Sequence, residues 1–290
     1  MAERVGFIGL GIMGFPMAEN LATRFSVLGF DTQKSRIERL ERVAPARAVS
    51  ELAAACPVVC LSLPSAAIVE EVTLGPEGLA AVLKPGSLII DLSTGLPTVS
   101  RRIASKLAER GIEFADAPVS GGEAGAKNAS LAIMVGAAEA TFKRCLPFLS
   151  AIGGSVVRVG EVGAGGIAKL VNNMIVASTF AVVAEGFALA AKNGVEASAL
   201  YSAIHAGWAG SKVLDVSAEA IVARDYTPGG TIDMLEKDLG YARMLATESK
   251  VPIPLTAAAH EVFVAGQAAG RGRESQPAII ELWHGLGGEK

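Results

Sequence analysis

Over the first 160 or so residues, short apolar runs rich in β-branched side chains alternate with segments of helical pattern. The runs lie at 5–8, 27–30, 58–63, 88–91, 113–116, 131–135 and 156–159, and helical patterns fill 13–23, 34–43, 66–72 and 98–110, the last preceded by Gly95 and Pro97. Strands alternating with helices in this way make βαβ units, hence an α/β fold with a mainly parallel, doubly wound sheet covered on both faces. After the glycine-rich stretch 160–166 the strand signals vanish and the chain turns alanine-rich and helical. Such a change of pattern marks a domain boundary, and two domains are expected: residues 1–162 around the sheet, and an all-helical domain over 163–290. Residues 167–192 read as one long helix, apolar on every side, with Asn172, Asn173, Ser178, Thr179 and Glu185 among its interruptions. A helix of that kind needs cover from other helices or from a second subunit, so a homodimer or homotetramer is expected.

Composition narrows the classes. The chain has 290 residues, 51% apolar and 19% charged, with a mean hydropathy of +0.42, which excludes a disordered or solvating chain. The net charge is −3 and like charges do not cluster, so no nucleic-acid partner is expected. No uninterrupted apolar run reaches the roughly 18 residues of a bilayer span, and the chain opens directly on a strand and a glycine loop without a secretory leader. A cytoplasmic protein without membrane segments is the expectation. Cys56, Cys60 and Cys145 are odd in number and have no histidine at ligand spacing, so they read as buried thiols rather than a disulfide or metal site.

Chemistry enters with Gly9-Leu10-Gly11-Ile12-Met13-Gly14, which follows the first strand and opens the first helix. In that context Gly9 permits a tight turn, Gly11 lets the backbone approach a pyrophosphate, and Gly14 lets the helix lie against the strand with its N-terminus facing phosphate. Asp31, at the end of the second strand, stands where an acid accepts hydrogen bonds from the adenosine ribose. The first domain is therefore read as a Rossmann domain. A 2′-phosphate would meet the Asp31 carboxylate, which favours NAD over NADP, with Lys34 and Arg36 nearby to temper the repulsion.

Polar loops follow the later strands, at the sheet edge where α/β folds bind ligands: Leu63-Pro64-Ser65, Ser93-Thr94, and Pro118-Val119-Ser120-Gly121-Gly122. The paired glycines with a neighbouring serine suit an anion such as a carboxylate, and a plain glycine turn is the competing reading. Lys169 and Asn173, four residues apart, share a face near the start of the long helix. From helix position alone Lys169 is either a snorkelling surface residue or a functional one.

Four segments together settle that choice: Gly9-x-Gly11-x-Met13-Gly14-x-Pro16-Met17-Ala18-x-Asn20-Leu21; Asp116-Ala117-Pro118-Val119-Ser120-Gly121-Gly122; Gly163-x-Gly165-x-x-x-Lys169-x-x-x-Asn173; and Lys237-Asp238-Leu239. In this order and spacing the chain resembles the β-hydroxyacid dehydrogenases over nearly its whole length. The resemblance implies a nicotinamide-dependent oxidoreductase with its active site between a Rossmann domain and a helical domain. It implies Lys169 as catalytic acid/base, and Ser120, Gly121 and Gly122 as the site of the substrate carboxylate. Asn173 would orient substrate and lysine. Gly9, Leu10, Gly11, Ile12, Met13, Gly14, Asp31, Leu63 and Pro64 would hold the cofactor, with Thr94 and Lys237 beside the nicotinamide and Lys237 also reaching the substrate. Burial and the neighbouring Lys237 would lower the Lys169 pKa toward working pH. The segment Gly207-Trp208-Ala209-Gly210-Ser211-Lys212-Val213-Leu214-Asp215 resembles the corresponding loop of tartronate semialdehyde reductases, whose product is glycerate. There Trp208 either lines the pocket or packs inside the helical domain. 3-Hydroxyisobutyrate and sugar acids such as threonate are the alternative substrates. The imine reductases resemble this fold but typically lack the lysine.

Overall fold

The computed structural model describes residues 4–227 and 229–284, so the outermost residues of both expected domains, 1–3 and 285–290, lie outside it. Compact units divide between Lys169 and Leu170. The first contains β1 (Arg4–Ile8), α1 (Gly14–Leu21), β2 (Ser26–Phe30), α2 (Lys34–Ile37), β3 (Ala44–Pro45), α3 (Val49–Ala55), β4 (Val58–Leu61), α4 (Ala66–Leu74), α5 (Leu79–Val82), β5 (Leu88–Asp91), α6 (Pro97–Ala108), β6 (Glu113–Asp116), β7 (Val119–Ser120), α7 (Gly122–Lys127), β8 (Leu131–Gly136), α8 (Glu139–Leu149) and β9 (Gly153–Gly160).

The strands form one sheet in the order β3-β2-β1-β4-β5-β6-β8-β7, with β9 on β8. Pairing is parallel from β3 through β6, then β8 runs antiparallel to β6 and β7 and parallel to β9. Alternate side chains of one strand enter different cores. Val58 and Cys60, Leu88 and Ile90 join Met17, Leu21, Phe148 and Leu149 from α1 and α8 on one face; Val59, Leu61 and Ile89 join Leu52, Val69, Leu79, Ile103 and Leu107 from α3 to α6 on the other. Both faces are thus covered, which is why these strands are apolar at consecutive positions. Cys56, Cys60 and Cys145 are buried and unpaired, and burial raises all three thiol pKa values.

The helix expected over 34–43 stops at Ile37. Two physical causes act downstream. The Glu19 carboxylate takes the N–H groups of Glu41 (2.9 Å) and Arg42 (3.1 Å), and Pro45 disfavours helical geometry at Ala44. The chain instead lays down β3 beside β2, with the Ala46 N–H donating to the Gly29 carbonyl at 2.8 Å.

The long helix α9 (Ala164–Lys192) begins in the first unit and continues through the second, which also contains α10 (Ala197–Ile204), α11 (Lys212–Ala223), α12 (Ile232–Ser249), α13 (Pro254–Ala268), a 3-10 turn (Gln276–Ile280) and α14 (Glu281–His284). Local chemistry sets several of these starts. The Ser211 hydroxyl accepts the Leu214 N–H (3.1 Å), the Thr231 hydroxyl accepts the Met234 N–H (3.3 Å), and Pro254 occupies the first turn of α13. On α9, Leu170, Asn173, Ala177, Phe180, Ala184 and Phe187 recur every three or four residues and are buried; Ala177, Phe180, Ala184 and Phe187 join the core that holds Leu214, Leu235 and Phe263. Another strip of the same helix carries Val171, Ile175, Val182 and Leu189, all exposed. By length and composition α9 also meets the requirement of a bilayer span. A criterion of uninterrupted runs misses this because Asn172, Asn173 and Glu185 break the run while leaving the average apolar.

Candidate functional site

The chain leaves β1 at Ile8 and turns at Gly9, whose φ is +94° and whose N–H donates to the Phe30 carbonyl at 2.9 Å. A Cβ at Gly9 would stand 2.2 Å from the Ser62 carbonyl oxygen, and one at Gly14 would stand 1.8 Å from that of Gly9. The fold itself requires both glycines. Gly11 differs, because a Cβ there would meet nothing nearer than an Arg36 nitrogen at 3.8 Å. Packing leaves this glycine unexplained, whereas a pyrophosphate pressed against the loop explains it, and in that sense the residues fit a dinucleotide. Ile12 is exposed, Met13 is half-buried, and Met13 at the N-cap of α1 contributes no side-chain cap.

The Leu10 N–H is turned away from that space and donates to Asp31 Oδ2 at 2.8 Å. The other oxygen, Oδ1, accepts the Gln33 N–H at 2.8 Å, and the Arg36 guanidinium pairs with Oδ2 at 3.2 Å. Burial opposes the Asp31 charge, but the two amides and Arg36 outweigh it and hold the carboxyl below its ordinary value. The expected acid is thus charged and fixed to the glycine loop, with Arg36 in contact.

At the carboxyl ends of the central strands the Leu63 N–H donates to Ser93 Oγ at 2.9 Å, and the Ser93 N–H donates to Asp91 Oδ1 at 3.0 Å. Thr94 follows, half-buried, while Pro64 is exposed. Asp91 lies opposite Asp116 in the β5–β6 register. Burial, with Asp116 adding to it against the Ser93 hydrogen bonds, pushes Asp91 up to about 7. Asp116 is raised less, to about 6, because amides offset its burial: the N–H groups of Gly163 and Gly166 both donate to its carboxylate at 2.7 Å. Asp116 therefore caps the start of α9. Close approach here depends on glycine, since a Cβ at Gly136 would lie 2.4 Å from Asp116 Oδ1 and one at Gly165 would lie 2.5 Å from the Asp116 carbonyl oxygen.

Beyond β6 the chain reaches Ser120, then Gly121 and Gly122 with φ of +136° and +62°. These angles account for both glycines as a plain turn would, and the space left clear at Gly122 admits a ligand atom. Lys169 is half-buried near the start of α9, and Asn173 follows one turn later on the same helical face. In the second unit Asn173 is buried, donates from Nδ2 to Asp238 Oδ2 at 2.6 Å, and accepts from Asn172 Nδ2 at 2.9 Å. Lys237 Nζ lies 3.0 Å from Asp238 Oδ1 and 5.1 Å from the Tyr241 ring centroid. Asp238, a residue of the fourth motif without an expected role, links Asn173 to Lys237. Trp208 stands fully exposed on the loop before α11, so it does not pack inside the helical unit. Asp116 and Asp238 stand inside the motifs without an expected role, and Asp91 lies outside all four.

Comparison with known proteins covers almost the whole chain. Residues 4–160 match the family described as the NAD binding domain of 6-phosphogluconate dehydrogenase, and residues 163–283 match the family described as NAD-binding of NADP-dependent 3-hydroxyisobutyrate dehydrogenase. The chain is 38% identical to the 2-(hydroxymethyl)glutarate dehydrogenase of Eubacterium barkeri, covering 98% of this chain and 96% of that one. It is 35% identical to the 2-hydroxy-3-oxopropionate reductase of Escherichia coli, covering 96% of each. The crystal structure of a 3-hydroxyisobutyrate dehydrogenase from Salmonella typhimurium superposes with a TM-score of 0.88 at 30% identity, covering 97% of this chain and 99% of that one.

Two outcomes follow for the loop and the strand ends. Gly14→Ala is expected to destabilise the fold by about 1–3 kcal/mol through overpacking, whereas Gly11→Ala is expected to leave urea unfolding unchanged and weaken NADH binding on the order of tenfold. Equal effects of the two substitutions on stability would refute the distinction. Because the folded state raises Asp91 from 3.8 to about 7, the fold favours its protonated form, and that stabilisation, complete below about pH 4, is lost as the pH rises through about 7. Asp116, raised to about 6, acts in the same direction. The thermal midpoint should therefore rise when the pH is lowered from 8 to 6, and Asp91→Asn should flatten that rise; parallel pH profiles for the two proteins would contradict it.

Proposed function

Since the chain belongs to the β-hydroxyacid dehydrogenases, a family of NAD-dependent oxidoreductases, we propose that it interconverts a small 3-hydroxy acid and its semialdehyde, with glycerate and tartronate semialdehyde as the leading pair. The observation that carries the reading is the placement of Lys169 one turn beyond the Asp116-capped start of α9, with Asn173 on the same face. The substrate preference rests on the loop holding Trp208, which resembles that of tartronate semialdehyde reductases, and on the relative named 2-hydroxy-3-oxopropionate reductase.

When bound, the nicotinamide supplies or accepts hydride at the carbinol carbon. Lys169 in its ammonium form donates a proton to the carbonyl oxygen during reduction, and as a neutral amine it takes the hydroxyl proton during oxidation. The Ser120 hydroxyl and the amides of Gly121 and Gly122 receive the substrate carboxylate. Asn173, with one Nδ2 hydrogen committed to Asp238, offers the other to the substrate. Gly9, Gly11, Gly14, Leu63 and Pro64 border the cofactor, with Thr94 and Lys237 at its nicotinamide end and Trp208 against the substrate. The charged Asp31 disfavours a 2′-phosphate and so favours NAD, an effect that the contact with Arg36 reduces.

The test is a panel of tartronate semialdehyde, glycerate, 3-hydroxyisobutyrate, threonate and 2-(hydroxymethyl)glutarate with NAD(H) and NADP(H), followed by absorbance of the reduced nicotinamide, on the native protein and on Lys169→Met. Turnover of the best substrate is expected to fall by roughly 10² to 10⁴ in the variant while NADH binding and folding persist. Near-native turnover would move the proton to another group, and faster turnover of another acid would replace the leading substrate pair.

We further propose that the exposed strip of Val171, Ile175, Val182 and Leu189 on α9 is covered by a second copy of the chain. Light scattering coupled to size exclusion is expected to give the mass of a dimer or tetramer; a monomer at micromolar concentration would disprove it.

A further inference from the structure

Asp116 joins two arms of the proposed site. Its carboxylate accepts the N–H groups of Gly163 and Gly166 at 2.7 Å each, and Lys169 follows Gly166 by one helical turn. In the other direction the chain leaves β6 at Asp116 and reaches Ser120 four residues later. Gly163 takes a φ of +94° to present its amide, and Gly136 and Gly165 leave the space that a Cβ would fill against Asp116. The Gly166 amide lies in the first turn of α9, where N–H groups have no helical partner, so the carboxylate fixes the orientation of that turn. Asparagine could not replace it in kind, since its amide group would turn a donor toward one of two donors.

We infer that Asp116 is a positioning residue: by pinning the first turn of α9 to the end of β6 it sets where the Lys169 ammonium stands relative to Ser120, Gly121 and Gly122. The inference rests on the reading of Lys169 as acid/base. Asp116 touches neither substrate nor cofactor in this scheme and acts on the reaction only through Lys169. A helix cap without that role would change stability and leave the turnover of the folded protein unaltered.

The experiment is a double-mutant cycle of Asp116→Asn and Lys169→Met, assayed with the best substrate of the panel in excess NADH, which stabilises the folded state by mass action. For Asp116→Asn, kcat is expected to fall ten- to hundredfold, in keeping with the cost of roughly ångström-scale misplacement, while the NADH Kd stays within about twofold. In the Lys169→Met background the same substitution is expected to cost less than about threefold. Should Asp116→Asn not fold, Asp116→Ser, whose hydroxyl oxygen still accepts but lacks the charge and the second oxygen, takes its place, and a loss of kcat with the same dependence on Lys169 is expected. A slow Lys169→Met combined with native kcat in Asp116→Asn, or with an undiminished loss in the double variant, overturns the inference alone. Near-native turnover of Lys169→Met overturns the acid/base reading and the inference with it.

Discussion

A carboxylate buried at the end of a strand and accepting backbone N–H groups from loops, near or distant in sequence, is the constraint on which the candidate site depends. Asp31 after β2 takes the amides of Leu10 and Gln33, Asp91 at the end of β5 takes that of Ser93, and Asp116 at the end of β6 takes those of Gly163 and Gly166. Loops at the carboxyl edge of a parallel sheet have no ladder of their own. A short acid that reaches one or two amides converts such a loop into a fixed surface, because an amide left unpaired in a buried place is costly.

The three acids also form an electrostatic series. Asp31 has two amides and a guanidinium, and its pKa is lowered despite burial; Asp116 has two amides from another segment and rises to about 6; Asp91 has Ser93 and a carboxylate for a neighbour, and rises to about 7. The order follows the balance of donors against desolvation at each position. Charge is consequently held at the two ends of the row, beside the glycine loop and at the start of α9, while Asp91 between them sits near its titration point at neutral pH.

The parts of this architecture legible in the sequence are those whose causes are local. Consecutive apolar positions announce strands buried on both faces, and the glycine loop is recognisable because strand, turn and helix are contiguous. The partners of Asp116 lie 47 and 50 residues onward, and Asp238 lies 65 residues from Asn173, so no window of sequence shows those bonds. The same reason governs α2, which ends early because Glu19, some 22 residues upstream of Glu41, captures the amides that a longer helix would have used. Two-residue strands such as β3 and β7 are set by their neighbours in the sheet and have no periodicity to read.

The glycines around the candidate site separate into three kinds once the structure is known. Gly9, Gly14, Gly136 and Gly165 are required because another backbone or an Asp116 oxygen occupies the place of a side chain. Gly121 and Gly122 are required by positive φ. Gly11 has neither an unfavourable φ nor a close neighbour, so the fold would accept alanine there at little cost. Freedom of this kind is no signature by itself, since Gly186 and Gly240 share it within helices α9 and α12. At Gly11 it gains weight from its place on the loop between β1 and α1, beside a charged Asp31, where the proposed dinucleotide pyrophosphate and ribose would supply the missing reason together.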